Sequence, residues 1–475
     1  MPWKPAITRK LITQMKPLSL LLIVTFFSGV LVSSCKKDAH NSQPLSPDKA
    51  IDSLNLLKAD GTSFNLGDIV VTKTTADSLL VSVPPFTDVT ALTPVIVIKG
   101  KTISPASGVK QDFTSPLVYT VTAQDGSQVK YTVVVSIRGV VYFGSSDDNF
   151  YAVDAVLGKR IWATTAGDFS YSSPALVDGV IYAGNIDYNI YAMNASTGTV
   201  KWKFATDFTI ESSPAVAGGV AYFGNDSHHF YAVDVSTGQR KWQFNTNGNI
   251  STKPFVVNGI VYFGSDDSYV YALDAASGSV VWKYQAGSLF NVSSPTLVNG
   301  VLYIGCRDSY LYALDAATGT LKWKFFANNI SLEQSSPTVA NGVVYIGGWY
   351  NISDFSKGGS LYAVDALTGT LKWTALNNLG IGSDPVVADG ILYITCDDNN
   401  IYALDVNTQT IVWKNQILAN GASATVAGGV VFCGGGGNHK FYAMDAKTGI
   451  IKWTFPLGNN ALRTSISIAT GRTKI

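Results

Sequence analysis

Hydrophobic residues in the last three-quarters of the chain fall in short runs that are separated by turn residues. One representative segment contains four such runs, at positions 261–263, 270–273, 280–283 and 295–298. The runs are too short for helices and are rich in valine, tyrosine and leucine, which favours β-strands. Asn258-Gly259 and Asn299-Gly300 are type I′ hairpin signals. The pattern predicts four short antiparallel strands that are joined by tight turns.

This segment recurs along the chain at nearly constant spacing. Each copy opens on a glycine that precedes an apolar strand, at Gly139, Gly179, Gly219, Gly259, Gly300, Gly342, Gly390 and Gly429. Each copy then contains the phrase Tyr-Ala-x-Asp-x-x-x-Gly-x-x-x-Trp, whose tryptophans are Trp162, Trp202, Trp242, Trp282, Trp323, Trp373, Trp413 and Trp453. Self-similarity at a fixed period indicates a repeat architecture. Because one small sheet cannot bury a core alone, residues 138–475 are predicted to form an all-β, eight-bladed β-propeller.

The repeated tryptophans are interpreted as structural. A large apolar ring that occurs once per blade can pack against the next blade, and the aspartate of the phrase can accept hydrogen bonds from turn amides. Asn194 replaces this aspartate in the second copy, and Gln409 replaces the glycine in the seventh. Such changes are mild at a turn and serious at a catalytic position. We therefore expect all eight tryptophans to dock blades, and we assign no catalytic residue.

The phrase resembles the tryptophan-docking motif of the propeller repeats named for pyrroloquinoline quinone (PQQ). Such repeats occur in quinoprotein alcohol dehydrogenases and in the outer-membrane assembly lipoprotein of the Bam complex. The resemblance covers residues 139–475 and implies a fold more than a function, since the motif is the structural part of the repeat.

Closure of the ring is predicted from the prolines that precede the inner strand in six copies. Proline is tolerated at the start of an edge strand. After the last tryptophan, residues 464–468 resemble this inner-strand segment. We predict that they complete the first blade.

The first 34 residues have the pattern of a secretory signal peptide. Arg9, Lys10 and Lys16 precede the apolar run 18–27, and residues 32–35 resemble a bacterial lipobox. The resemblance implies lipid attachment at Cys35 and anchoring in the outer membrane, on its periplasmic or its outer side. Met1 and Met15 are both possible starts. An uncleaved transmembrane anchor is the alternative, although the apolar run is short for a span.

The residues between this signal and the repeats fall in two parts. Residues 35–50 have the composition of a flexible polar tether. Residues 51–137 contain alternating apolar strands and an Asp125-Gly126 hairpin turn, which predict a small β-sandwich. The end of this segment resembles the Ig-like modules of bacterial surface lipoproteins. No linker precedes Gly139, so we expect a stiff junction.

Composition and residue spacing narrow the possible partners. Without residues 1–34, 30 Lys and Arg stand against 33 Asp and Glu, with no basic stripe, so nucleic acid is not expected as a partner. Cys306, Cys396 and Cys433 lack metal-ligand spacing and are expected to be buried. The adjacent His228 and His229 are too few for a metal site. No cofactor or metal is predicted.

Candidate binding residues come from the connections that vary between copies, which are expected on one face. Asp147, Asp187, Asp267, Asp308 and Asp398 recur in these connections and are expected to cap turns. The sixth copy inserts residues 348–358. Because variable loops on rigid scaffolds collect binding residues, Trp349, Tyr350 and Phe355 form a candidate binding loop for a protein or a glycan. Alternatively, the loop buries its own rings.

Two function classes remain open. The favoured one is a non-catalytic envelope lipoprotein that presents its propeller as a binding scaffold, with outer-membrane protein assembly as one case. The other is a PQQ-dependent dehydrogenase, which the repeat resemblance also allows. Many such enzymes carry a pair of adjacent cysteines and a carboxylate-rich calcium site, and no two cysteines are adjacent in this chain.

Overall fold

The computed structural model describes residues 45–169, 171–419, 421–435, 437–457 and 466–469. These residues form strands and turns without any helix, which confirms the all-β prediction. No helix that could span a bilayer is present in this described part. Cys35 and the predicted signal peptide lie outside it.

Seven strands precede the repeats. Their bounds are β1 (Ala50–Leu57), β2 (Val70–Thr75), β3 (Ser78–Val83), β4 (Thr93–Lys99), β5 (Thr102–Ser104), β6 (Leu117–Thr122) and β7 (Gln128–Ile137). They form a two-stranded sheet, β1-β4, and a five-stranded sheet in the order β2-β3-β7-β6-β5, in which β3 and β7 are parallel. Alternate side chains of β3 point inward, and Val81 and Val83 share a core with Leu56 and Tyr119. Residues from both sheets therefore enclose one core.

The repeats form eight four-stranded antiparallel sheets among the described residues. From the inner to the outer strand, the first four are β41 (Ser467–Ala469), β8 (Val140–Gly144), β9 (Asn149–Asp154), β10 (Arg160–Thr165); β11 (Ala175–Val177), β12 (Val180–Gly184), β13 (Asn189–Asn194), β14 (Val200–Ala205); β15 (Ala215–Ala217), β16 (Val220–Gly224), β17 (His229–Asp234), β18 (Arg240–Asn245); and β19 (Phe255–Val257), β20 (Ile260–Gly264), β21 (Tyr269–Asp274), β22 (Val280–Gln285).

The last four sheets have the same order. They are β23 (Thr296–Val298), β24 (Val301–Gly305), β25 (Tyr310–Asp315), β26 (Leu321–Phe326); β27 (Thr338–Ala340), β28 (Val343–Gly347), β31 (Leu361–Asp365), β32 (Leu371–Ala375); β33 (Val386–Ala388), β34 (Ile391–Thr395), β35 (Asn400–Asp405), β36 (Ile411–Gln416); and β37 (Thr425–Ala427), β38 (Val430–Gly435), β39 (Lys440–Asp445), β40 (Ile451–Pro456). The insertion in the sixth sheet forms its own hairpin, β29 (Tyr350–Asn351) and β30 (Asp354–Gly358).

The sequence repeat and the sheet are offset by one strand, because each sheet takes its inner strand from residues before the opening glycine. The first sheet has no such segment before Gly139. Its inner strand is β41, which pairs with β8 through Ser467 opposite Tyr142. This pairing confirms that the C-terminal segment completes the first sheet, although residues 464 and 465 of the predicted segment lie outside the described part.

The core of the repeats lies between neighbouring sheets. Phe230 of the third sheet stacks on Phe263 of the fourth, with ring centroids 4.1 Å apart. Phe441 of the eighth sheet stacks on Phe143 of the first at 4.5 Å. Because the last sheet packs on the first as inner neighbours pack on each other, the series closes on itself.

The repeated tryptophans lie at these same interfaces. Seven indole Nε1 atoms donate a hydrogen bond to a carbonyl oxygen of the next sheet, as Trp162 does to Ala195 at 3.0 Å. The glycine of the phrase lies against the ring of the preceding sheet: a Cβ on Gly198 would come within 2.5 Å of Trp162 Cε3. The eighth indole, of Trp373, makes no such bond within the described residues, and Gln409 occupies the glycine position with φ 61°.

Residues 47–475 form one unit by their contacts, and one arginine joins its two parts. Arg138 follows β7, and its Nε lies 2.7 Å from Oδ2 of Asp154 on β9. Its Nη1 donates to the carbonyl oxygen of Asp68 at 2.6 Å. Both charged side chains are buried, so the pair ties the strands that precede the repeats to the first sheet of the repeats.

Candidate functional site

A cavity of about 720 Å³ lies where the inner strands of the sheets begin. Its wall comes from seven sheets, mainly from the connections between an outer strand and the next inner strand. These connections leave on the same side as the turns between the second and third strands of each sheet, and we call this side the loop face. The cavity is called the mouth and is defined by Tyr171, Glu211, Lys253, Trp349, Asp384 and Asp397.

A belt of polar residues surrounds the mouth. The residue two positions before the inner strand uses its side-chain oxygen to accept a hydrogen bond from the backbone N–H of the preceding sheet. The bonds run from Ser173 to Ser213 (2.8 Å), Lys253 to Ser294 (2.9 Å), Ser294 to Ser336 (3.0 Å), Ser336 to Asp384 (2.6 Å) and Asp384 to Ser423 (2.9 Å). The belt therefore holds hydroxyl and carboxylate groups at fixed places around the opening.

Lys253 and Asp384 replace serine in this belt. Desolvation by the surrounding cavity wall lowers the pKa of the Lys253 ammonium, and the negative charge of Asp384 partly offsets this shift. Burial likewise raises the pKa of Asp384, which accepts the Ser336 amide hydrogen bond. Lys253 is still open to the solvent of the mouth. One ammonium therefore faces three carboxylates, of Glu211, Asp384 and Asp397, across the cavity.

Trp349 reaches the mouth because it occupies the position in the sixth sheet that Asp397 occupies in the seventh, two residues after the second strand. Its backbone N–H bonds the Ser331 carbonyl at 3.0 Å, as the N–H of Asp397 bonds that of Gly380 at 2.9 Å in the next sheet. The Trp349 indole donates to Asp397 Oδ2 at 2.8 Å. A Cβ on Gly380 would lie 2.9 Å from Trp349 Cδ1 and would also overlap Asp397, so this glycine leaves room for the pair.

The rest of the candidate loop extends outward from Trp349. Tyr350 packs edge-on against Trp349, with centroids 5.3 Å apart, and its hydroxyl lies 3.4 Å from Glu333 Oε1. Trp349 and Tyr350 are half-buried, whereas Phe355 is 72% exposed and lies against Tyr350 at 5.2 Å. The Ser331 N–H also bonds the Tyr350 carbonyl at 2.9 Å. The loop therefore presents an aromatic surface that is fixed to the neighbouring sheet.

The repeated aspartates of the loop face hold their own turns. Each accepts a backbone N–H two residues later and the hydroxyl of a tyrosine four residues later, at 2.5 to 2.7 Å for Asp147, Asp187, Asp267, Asp308 and Asp398. In the third sheet Ser227 takes this position, and Asp207 from the neighbouring loop approaches it instead, at 2.6 Å from Ser227 Oγ. Burial acts to raise the pKa of the Asp207 carboxyl group. Hydrogen bonds from Ser227 and Asn225 outweigh burial and hold this pKa below its usual value.

The other singled-out residues lie away from the mouth. Cys306, Cys396 and Cys433 are buried in different sheets, and burial raises the pKa of the Cys433 thiol to about 12. His229 lies 3.1 Å from Asp207, while His228 is exposed. In the described ranges, no group of three or more His, Cys, Asp or Glu is arranged to hold a metal ion.

The donor set of the mouth fits a quinone cofactor of the PQQ type poorly. PQQ carries three carboxylates of its own, and the mouth offers one ammonium beside three carboxylates. Bringing further negative charge into this partly buried site is electrostatically unfavourable. No reaction step is derived through such a group.

Lys253 was not found from the sequence, although a signal for it exists. Four sheets have Ser-Ser-Pro before the inner strand, whereas the fourth sheet has Thr252-Lys253-Pro254 and the seventh has Ser383-Asp384-Pro385. The repeat does not require a charge at this position, because serine fills it in four other sheets. Comparing the copies position by position indicates both members of the pair.

Family models match most of the chain. One described as outer membrane protein assembly factor BamB matches residues 111–249, 206–353 and 357–475. Another, described as SGBP, N-terminal, matches residues 61–135. No curated protein sequence matches the chain significantly.

Solved structures show the same fold at low sequence identity. BamB from Moraxella catarrhalis is 21% identical with a TM-score of 0.52, covering 66% of this chain and 89% of that one. The computationally designed Ika8 protein is 14% identical with a TM-score of 0.52, covering 63% and 92%. The quinohemoprotein alcohol dehydrogenase ADHIIG from Pseudomonas putida HK5 is 18% identical with a TM-score of 0.51, covering 62% and 67%. At these identities the likeness concerns the fold alone.

Proposed function

The chain belongs to the outer membrane protein assembly factor BamB family, and we propose that it is a non-catalytic envelope lipoprotein whose propeller binds a glycan at the mouth. In this proposal the eight sheets are the blades of one propeller, and residues 51–137 are an Ig-like module. The signal of residues 1–34 and a lipid on Cys35 place the protein at the outer membrane. The SGBP match over residues 61–135 supports a distinct N-terminal module.

The chemistry of the mouth carries the choice of a glycan. Its wall combines serine hydroxyls, carboxylates and the Lys253 ammonium, which together offer hydrogen-bond donors and acceptors. A neutral, hydroxyl-rich ligand can use both kinds of group without adding charge. The Trp349 and Tyr350 rings supply an apolar wall on which the C–H face of a sugar can lie.

Polysaccharide binding by the full chain in detergent tests this function. The panel consists of laminarin, dextran, xyloglucan, galactomannan and starch, measured by affinity electrophoresis and calorimetry. We expect binding to at least one and a loss of about fivefold in affinity for Trp349→Ala, since one aromatic contact contributes about 1 kcal/mol. Gly380→Ala, which displaces Asp397 from the indole, should act in the same direction.

Leu367→Ala is the matched control, because Leu367 is 86% exposed and lies in a turn on the side opposite the loop face. It should bind like the native protein. Failure of every polysaccharide to bind, or native affinity in Trp349→Ala, would contradict the proposal.

Family membership favours a second function, a scaffold role in outer-membrane protein assembly. This role predicts that cross-linking in envelope preparations joins the loop face to assembly proteins, and that Trp349→Ala reduces the yield. The dehydrogenase alternative is tested by titration with PQQ and calcium. We expect no saturable change in tryptophan fluorescence or melting temperature.

A further inference from the structure

A second aromatic surface lies on the loop face, on sheets two and three. The rings of Tyr188 and Phe208 are nearly parallel, 11° apart, with centroids separated by 5.8 Å. Their exposed fractions are 45% and 47%. The Thr206 hydroxyl lies within hydrogen-bond distance of both backbone carbonyl oxygens, 2.9 Å from Tyr188 and 2.7 Å from Phe208. The two exposed rings are therefore held together by the backbone beneath them.

Tyr188 occupies a position that suits tyrosine poorly. Its φ is 71°, in the left-handed region. The turn imposes this conformation, because the equivalent residues Asp148, His228, Ser268, Ser309 and Asn399 also have positive φ. Asp, Asn and His are the non-glycine residues found most often in this region, whereas the bulky tyrosine side chain is strained there by about 1 kcal/mol. Since the ring remains exposed, burial does not explain why a tyrosine is present, and such outliers point to function.

One loop connects this pair to the mouth. Residues 206–214 join β14 to β15, and they carry Phe208 outward and Glu211 into the mouth wall. Between them Ile210 is fully buried, and its N–H donates to the Asn185 carbonyl oxygen at 3.3 Å. Thr209 Oγ1 donates to Asp226 Oδ2 at 2.5 Å. The two ends of the loop are thus fixed by the segment between them.

The surroundings of the rings favour a sugar over a protein. Asp207, which precedes Phe208 in the sequence, forms a polar cluster with Ser227 at 2.6 Å and His229 at 3.2 Å. A pyranose presents an apolar C–H face to aromatic rings and hydroxyl groups to such polar neighbours. Two side chains alone are a small part of the roughly 800 Å² that each partner buries in a stable protein interface.

We propose that Tyr188 and Phe208 form a second sugar subsite, which holds a unit of a glycan chain that leaves the mouth past Glu211. This inference rests on the proposed glycan-binding function and adds to it the length of the ligand. The protein then recognises an extended chain rather than a single sugar or a short end. Affinity should rise with chain length until both the mouth and the ring pair are occupied.

The test compares chain lengths on the full chain in detergent. The probes are laminarin, dextran, xyloglucan, galactomannan and starch, each with its di- and trisaccharide and its longer oligosaccharide fractions. Native protein should bind the long fractions of the recognised polysaccharide about tenfold more tightly than the short ones. Tyr188→Asn combined with Phe208→Ala should remove this difference and leave binding of the short fractions unchanged.

Asparagine at position 188 suits positive φ, so Tyr188→Asn alone should melt no lower than the native protein and separates a lost contact from a lost fold. Equal affinity for short and long fractions, or native affinity in the double variant, overturns the inference while glycan binding stands. Failure of all probes at every length overturns the proposed function and this inference together.

Discussion

The indole Nε1 of Trp453 donates a hydrogen bond to the carbonyl oxygen of Ala155 at 3.1 Å, although 298 residues separate the two. The same bond joins Trp162 to Ala195 at a separation of 33 residues. The contact that docks each sheet on the next along the chain is thus also the contact that closes the series. The first sheet differs from the others in one respect, because its inner strand, β41, comes from residues after the last repeated tryptophan.

Removal of β41 should weaken the closure. A chain that ends at Leu457 leaves the hydrogen-bonding edge of β8 unpaired and lacks Ile466 and Ile468, which pack on the interface between the last and first sheets. We expect a lower melting temperature and faster amide exchange in β8. Deleting only residues 470–475 is the control, and a native melting temperature for the longer deletion would argue against closure by β41.

Two tryptophans with different environments should respond differently to truncation. Trp282 is 9% exposed and bonds the Ala316 carbonyl at 2.9 Å, so Trp282→Ala should cost about 3 to 5 kcal/mol of unfolding free energy. Trp349→Ala, at the half-buried mouth residue, should cost about 1 kcal/mol or less. Denaturant unfolding measures both, and equal losses would remove the distinction between docking and binding tryptophans.

Replacing Gln409 by glycine should stabilise the folded protein. Its φ of 61° is unfavourable for glutamine, and every other copy has glycine there, packed on the preceding tryptophan. Gln409→Gly should raise the unfolding free energy by up to about 1 kcal/mol and allow Trp373 to bond the Val406 carbonyl. The reverse change, Gly369→Gln, places a Cβ 2.6 Å from the Trp323 ring and should destabilise. A loss of stability in Gln409→Gly would refute this explanation.

The junction of the two parts depends on a buried pair. Arg138→Met leaves the Asp154 carboxylate, 5% exposed, without its guanidinium, and should cost about 3 to 5 kcal/mol. Lys159→Met breaks an ion pair with Asp68 whose lysine is 57% exposed, and should cost less than about 1 kcal/mol. Thermal unfolding with separate probes for residues 51–137 and the propeller would show whether Arg138→Met also uncouples the two parts.

Asp266 should make stability depend on pH with a defined sign. Burial raises its pKa above 3.8, and the hydrogen bond from the Asn291 amide opposes this only in part. The folded state therefore holds the proton more tightly than the unfolded state, so the charged form is unfavourable at neutral pH and the loss is recovered as the pH falls through the raised pKa. Asp266→Asn, which keeps the accepting oxygen, should stabilise at neutral pH and have no effect at acid pH.

Asp315 is the control of opposite sign. The hydrogen bond from Lys322 and those from Thr318 lower its pKa, so its contribution is present at neutral pH and lost as the pH falls through the lowered pKa. Asp315→Asn should therefore destabilise at neutral pH. Melting temperatures over a pH series separate the two variants, and parallel curves would contradict the assignment.

The repeated parts of the fold can be predicted from the sequence because every sheet needs the same residue types at the same positions. Gly158 and its equivalents, four residues before each repeated tryptophan, must adopt positive φ and leave space for the tryptophan ring of the preceding sheet. Asp147 and its equivalents must accept the hydrogen bonds that hold a turn. The pairing of β41 with β8 also follows from the likeness of its sequence to the other inner strands.

The mouth is harder to read because its residues meet only when the ring closes. Lys253 and Asp384 are 131 positions apart and come from sheets that do not touch. The partnership of Trp349 with Asp397 depends on the space at Gly380. Tyr188 lies in a turn and Phe208 in the following loop, and their spacing along the chain does not show that the two rings stack. Such sites follow from spatial placement and not from spacing along the chain.

Hydrogen–deuterium exchange of the full chain, with and without the polysaccharide that it binds, tests the central claim most directly. Glycan binding at the mouth predicts slower exchange in residues 205–213, 348–352 and 380–384, and unchanged exchange in the turn 195–199 on the opposite side. Protection confined to that opposite side or to residues 51–137, with the mouth unaffected, would contradict the claim.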